Sequence, residues 1–160
     1  MNQIILRNFK RKKILNWMQL LIYCIWIFSG NLFVNSQIPG SYLRILILKL
    51  FGAKIGQGVV FKTNIKIKLP WNLKIGDYTW IGEEVWIDNL SEVRIGNNCC
   101  ISQGVYFCTG SHNFKSINFD LILKPIFIED HCWIGAKSII APGANIKKGS
   151  FLKLGTLFIR

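Results

Sequence analysis

A chain of 160 residues suffices for one domain with a real core, and 51% hydrophobic against 18% charged residues excludes a disordered polypeptide. The formal net charge of +12 comes without zinc-finger spacing, an RNA-recognition signature or a basic helix with interleaved aromatics, so no nucleic-acid partner is expected. Five cysteines (Cys24, Cys99, Cys100, Cys108, Cys132) without CxxC spacing argue against a disulfide framework or a zinc site, and for reduced, small apolar core residues in the cytoplasm.

Basic residues crowd the start of the chain at Arg7, Lys10, Arg11, Lys12 and Lys13. Behind them, Ile14 to Leu43 carries no charge, and ILNWMQLLIYCIWIFSGNLFV approaches the length needed to cross a hydrocarbon core of about 30 Å. Asn16, Gln19, Ser29 and Asn31 interrupt the run, and no small-residue cleavage site marks a secretory signal. Three placements stay open, in this order: a helix lying in the membrane interface, a helix packed on the protein body or a partner subunit, and a span. In each the basic cluster stays cytoplasmic, so the chain is expected at the inner face of the cytoplasmic membrane. Pro39 and Gly40 punctuate the chain, and YLRILILKLF (Tyr42 to Phe51) reads as a short helix with Arg44 and Lys49 on its polar edge. Residues 1–52 thus form an N-terminal basic and apolar helical segment.

A different regime begins at Ile55. Aliphatic or aromatic residues recur at sixfold spacing in three trios: Ile55, Phe61, Ile67; Ile75, Ile81, Ile87; and Ile95, Ile101, Phe107. A further set follows at Ile128, Ile134, Ile140, Ile146 and Leu152, and glycine succeeds the aliphatic residue at Gly56, Gly76, Gly82, Gly96 and Gly135. This spacing fits neither an amphipathic helix nor a simple alternating strand; it predicts a hexapeptide-repeat parallel β-helix over residues 53–160, preceded by the N-terminal helices. One coil cannot bury its inward residue alone, but stacked coils line these residues up in a column. The glycines are expected at tight corners, where positive φ or close backbone approach excludes a Cβ.

Between Phe107 and Ile128 the register is broken and then resumes, expelling a loop over residues 108–127. A loop thrown from a rigid solenoid is a natural place for function. It opens on Thr109-Gly110-Ser111-His112-Asn113, and an imidazole there has the chemistry to take a proton from an alcohol attacking an acyl carbon. His131, the other histidine, reads as a surface corner residue.

The string PWNLKIGDYTWIGEEVWIDNLSEVRIGNNCCISQGVYFCTGSHNF, continued by FDLILKPIFIEDHCWIGAKSIIAPGANI, resembles the colanic-acid-biosynthesis type of acetyltransferase, a branch of the left-handed β-helix acyltransferases, over about residues 40–146. The resemblance implies transfer of acetyl from acetyl-CoA, as co-substrate and without a metal, to a hydroxyl of a sugar or lipid-linked sugar in surface-glycan biosynthesis. It also implies a homotrimer with acetyl-CoA between neighbouring β-helices, an expectation joined by Trp71, Trp80, Trp86 and Trp133 clustered in the repeats. By position, His112 matches the family's base, Asp88 an acidic residue contacting acceptor hydroxyls with Asn89 as its neighbour, and Trp133, Gly135 and Ala136 the coil along the pantetheine arm.

After Pro142-Gly143-Ala144-Asn145-Ile146 the family pattern calls for another full coil and a basic end, whereas GSFLKLGTLFIR follows, with Leu154 at a corner where the family has a small residue. A shortened C-terminus is the expectation, and with it an alternative reading as a non-catalytic scaffold or remnant. A γ-type carbonic anhydrase needs three histidines per metal, which His112 and His131 do not supply. A nucleotidyltransferase would need a Rossmann-like domain, for which the residues before Ile55 leave no room.

Overall fold

A computed structural model of the chain describes residues 5–10 and 12–159; Arg11 of the basic cluster lies outside the described residues. The expected β-helix is present. Short strands of two or three residues build three five-stranded, all-parallel sheets, so five coils stack along one axis with three faces each. On the first face Ile55, Ile75, Ile95, Ile128 and Ile146 pair in register from coil to coil. Phe61, Ile81, Ile101, Ile134 and Leu152 do the same on the second face. Ile67, Ile87, Phe107, Ile140 and Phe158 form the column of the third. These columns are the core, with Ile81, Ile87, Phe107, Ile134 and Ile140 fully buried. The outward residues between them are free to be polar or aromatic, which is why only one position in six is hydrophobic without exception.

The glycines after each inward isoleucine serve close approach and not positive φ. Asp77, Asn97 and Asp130 turn a side-chain oxygen onto the backbone N–H of Gln57, Asp77 and Asn97, each at 2.7 Å. A Cβ at Gly56, Gly76 or Gly96 would lie 2.2–2.5 Å from those oxygens. Positive φ falls two residues further on, at Gly58, Tyr78, Asn98, His131 and Gly149. His131 is thus an exposed corner residue with φ 60°.

This ladder carries a pH dependence. The Asn97 N–H, joined by the Asn97 side-chain amide, holds the Asp130 carboxyl below its ordinary range. A lowered folded value means that the carboxylate stabilises the fold fully above its unfolded value, near about pH 4, and that this is lost as pH falls through the folded value. Asp130→Ala should therefore lower stability at neutral pH and flatten its fall toward acid, read from denaturation midpoints measured between neutral and acid pH.

Of the cysteines, all free, Cys99 and Cys132 fill the column as small core residues, where burial pushes both thiols up. Cys24 is exposed and Cys100 and Cys108 are half-buried, so the core reading holds for two of the five.

The N-terminal helices plug the open end of the solenoid. Helix α1 (Trp17–Ser29) starts at Asn16, whose side chain accepts from the Gln19 N–H while Gln19 accepts from the Asn16 N–H. Two of the polar residues that interrupt the apolar run are therefore its N-terminal cap. A π-turn, Gly30–Val34, ends it. Helix α2 (Ser41–Leu50) follows. First-coil groups left without a neighbouring strand find partners here: Trp26 Nε1 donates to Ile67 O at 3.0 Å, and Phe61 N donates to Ser41 Oγ at 2.8 Å.

Arg44 is not on a polar edge. It is 2% exposed, and its guanidinium donates to the carbonyls of Val34, Ser36, Ile38 and Gly40, clamping the connection between the helices. Helical periodicity assigned it to an outer face, but the chain curls back over it and satisfies its donors with backbone oxygens.

At the other end, residues 149–159 do not break off the coil. Phe151–Leu152 pairs with Trp133–Ile134, and Leu157–Phe158 with Ile139–Ile140, completing the second and third faces of the fifth coil. Leu154 sits exposed at the corner between them.

Candidate functional site

The expelled segment is a β-hairpin. Gly110–His112 pairs antiparallel with Leu121–Leu123, His112 opposite Leu121, and strand pairing of the solenoid resumes at Ile126. Its base is tied to the turn after the preceding coil's third strand. The buried Thr109 hydroxyl donates to Asp88 O and accepts from Ser91 N, both at 3.0 Å, and Thr109 N donates to Asp88 O at 3.2 Å.

His112 is half-buried and fixed on several sides. Its ring stacks on Phe119 at 4.2 Å and 4°, and Phe9 meets it edge-on at 5.6 Å. Nδ1 lies 2.7 Å from Phe119 O. A carbonyl oxygen only accepts, so this contact places the imidazole proton on Nδ1 and leaves the Nε2 lone pair free. Phe119 delivers that carbonyl from a left-handed turn, φ 51°.

Asp88 ends the strand Trp86–Asp88 and is mostly buried. Lys68 Nζ is 2.7 Å from its Oδ1, but Oδ1 accepts no directed hydrogen bond, so that contact is an ion pair without hydrogen-bond alignment. The Tyr106 hydroxyl donates to Oδ2 at a long 3.4 Å. Burial, then Cys108 and Asp88 beside it, push the Tyr106 phenol far up and keep it a donor. Asp88 and the hairpin that carries His112 are thus joined through Thr109.

Asn89 has another role. It is fully buried and clamps the Leu69 peptide, accepting from Leu69 N at 2.9 Å and donating to Leu69 O at 2.7 Å. Its amide is spent on the wall, so it is not an acceptor contact.

Trp133, Gly135 and Ala136 lie on the second face and the corner after it. Trp133 is half-exposed, donates from Nε1 to Ser102 Oγ at 3.0 Å, and packs on Phe151. Ser102 also lines a shallow cleft of ≈ 310 Å³ with Trp80, Gly82, Glu83 and Gln103. Gly135 is buried; a Cβ there would stand 2.6 Å from Leu154 N, so it lets the last coil stack flush. Ala136 accepts Gly155 N from that coil at 2.8 Å. Within one chain these three residues are not brought together with His112 and Asp88.

Sequence reasoning missed Lys68, Tyr106, Thr109 and Phe119. Tyr106 had a signal, pairing with Trp86 one coil below, rings 4.6 Å apart. Phe119 had none, because its part depends on how the hairpin tip folds back. Among the described residues no group of three His, Cys, Asp or Glu side chains stands ready for a metal.

No protein-family profile matches the chain. Over 125 residues it is 40% identical to the colanic acid biosynthesis acetyltransferase WcaF of Escherichia coli (strain K12), covering 78% of this chain and 69% of that protein. The chain belongs to the colanic acid biosynthesis acetyltransferases. In this family's solenoid the fold agrees with the hexapeptide-repeat acetyltransferase VCA0836 of Vibrio cholerae, at 25% identity and a TM-score of 0.71 over 84% of this chain and 78% of that one. A galactoside acetyltransferase in complex with coenzyme A shares the fold at a TM-score of 0.78 and 20% identity, over 95% of this chain and 78% of its own.

Proposed function

We propose that this colanic-acid-type acetyltransferase moves an acetyl group from acetyl-CoA to a sugar hydroxyl of a surface glycan or its precursor, with His112 as general base. The observation that carries the reading is the Phe119 carbonyl on Nδ1, which presents Nε2 as the proton acceptor. Nε2 takes the hydroxyl proton as the sugar oxygen forms its bond to the thioester carbon. The C–S bond then breaks, and the imidazolium returns the proton to the departing thiolate of CoA. Asp88 receives a neighbouring sugar hydroxyl on its carboxylate, beside the Lys68 ammonium that pairs with it.

The second face, with Trp133 and the flush corner at Gly135 and Ala136, takes the acetyl-CoA arm. Because no contact joins that face to His112 among the described residues of one chain, a homotrimer is part of the proposal: the groove forms between the second face of one subunit and the hairpin of the next. Exposed Tyr78, Trp80, Trp86 and Trp133 support it, being more aromatic surface than a monomer leaves in water.

The test is mass-spectrometric detection of acetylated product from a panel of sugars and lipid-linked sugars, with sedimentation on the same preparation. Acetylated sugar from a trimer is expected. Thioester hydrolysis without any acetylated sugar, or a stable monomer at about micromolar concentration, would sink the reading; subunit association of this kind is ordinarily tighter than that.

A further inference from the structure

The helices that plug the solenoid are covered on one side only. On α1 and its π-turn, Trp26, Gly30 and Val34 are buried, while Trp17, Leu21, Ile25 and Leu32 stay exposed and Phe28 reaches 76% exposure. Only 17% of the run from Trp17 to Val34 is buried. On α2, Leu48 turns inward, and Tyr42, Leu46 and Leu50, one turn apart, are exposed. Both helices press on the first coil, and the sides turned away from it leave large apolar residues of both exposed.

Charge says what covers them. No aspartate or glutamate precedes Asp77, so the whole helical segment and the first coil carry basic residues alone. Lys12 and Lys13 meet Leu20 and Tyr23 of α1 around a cleft that also takes in Lys68, which places positive charge at the border of the apolar surface. We infer that this face docks on an anionic lipid bilayer, with α1 lying in the interface plane. A second copy of the chain fits poorly, because two such faces carry the same unrelieved positive charge. A span fits poorly too: Trp26 is bonded to Ile67 O, and drawing α1 into the bilayer would strip the end of the solenoid. Acidic lipid supplies the missing opposite charge, and the cytoplasmic leaflet holds it. Lys68, paired with Asp88, lines the same cleft, so the acceptor side of the candidate site opens toward the lipid surface.

The experiment is co-sedimentation of the full chain with vesicles of phosphatidylcholine alone and with about a third phosphatidylglycerol, each basic residue near such a surface contributing about fivefold to partitioning. Binding is expected to the second kind only, and to weaken as salt rises and screens the charge. Lys12→Glu/Lys13→Glu should weaken it at least about tenfold. Ile25→Asp/Phe28→Asp, on exposed positions, should abolish it. Acetyl transfer to a soluble sugar by the Ile25→Asp/Phe28→Asp protein reports folding and activity apart from docking, so failure of one is distinguishable from failure of the other. Equal binding to neutral and anionic vesicles would overturn the inference, as would undiminished binding of Ile25→Asp/Phe28→Asp. Release by detergent but not by alkaline carbonate would overturn it in favour of a span. Lipid-free self-association lost in Ile25→Asp/Phe28→Asp would overturn it in favour of a second copy.

Discussion

Replacing His112 with alanine is expected to lower the turnover number by about 10²–10⁴-fold, the usual contribution of a positioned general base, while leaving acetyl-CoA affinity unchanged. In the proposed mechanism the ring carries the transferring proton and does not hold the CoA arm, so the loss belongs in kcat. The stack on Phe119 and the bond from Nδ1 to its carbonyl hold the imidazole in one orientation and one tautomer, and truncation removes both at once. Two companions frame the result. His131→Ala, at an exposed corner, should change little. Asp88→Asn should raise the acceptor KM more than it lowers kcat, since it weakens a ground-state contact and frees the Lys68 ammonium. Wild-type turnover in His112→Ala, with single-turnover rates measured to isolate the chemical step, would end the mechanism.

Phe107→Ala should be the most damaging single change to stability, costing about 3–5 kcal/mol. Phe107 is fully buried in the middle coil, with Ile87 on one side and Ile140 on the other in the same column. Coils stacked above and below cannot close the void, because their spacing is fixed by the parallel ladder of hydrogen bonds. Denaturant midpoints at one fixed protein concentration are the measurement, as an oligomer's stability varies with concentration. Phe151→Ala in the terminal coil, where the ring is 56% exposed, should cost clearly less. A loss at Phe107 no larger than that at Phe151 would show that the columns are not what holds the solenoid together.

The β-helix was legible because its physics is one-dimensional: a residue that must face inward every sixth position leaves its mark directly in the chain, and no long-range pairing has to be guessed. The same rule located the hairpin, since an insertion shows as a break in an otherwise regular spacing. It pointed to His112 by position and chemistry, but not to the Phe119 carbonyl on its Nδ1, because that contact depends on the curl of the hairpin tip. It read Asn89 as a pocket residue, whereas the amide faces into the wall and is consumed by the Leu69 peptide. It set Arg44 on a polar edge, since periodicity along one helix says nothing about a following or preceding loop folding over it.

The sequence by itself determined the repeat, the core columns, the expelled segment and the basic, apolar start, all of which are properties of spacing and composition. Tertiary structure decided which polar side chains remain available. Burial of Asn89 and Arg44 spent their groups on backbone partners, while Asp88 kept a buried oxygen without a directed hydrogen bond beside Lys68. It also decided that the last residues continue the fifth coil, because Phe151 and Leu157 find strands beneath them to pair with. Spacing is carried by the chain, but satisfaction of a polar group depends on what the fold brings within about 3 Å of it, and only packing settles that.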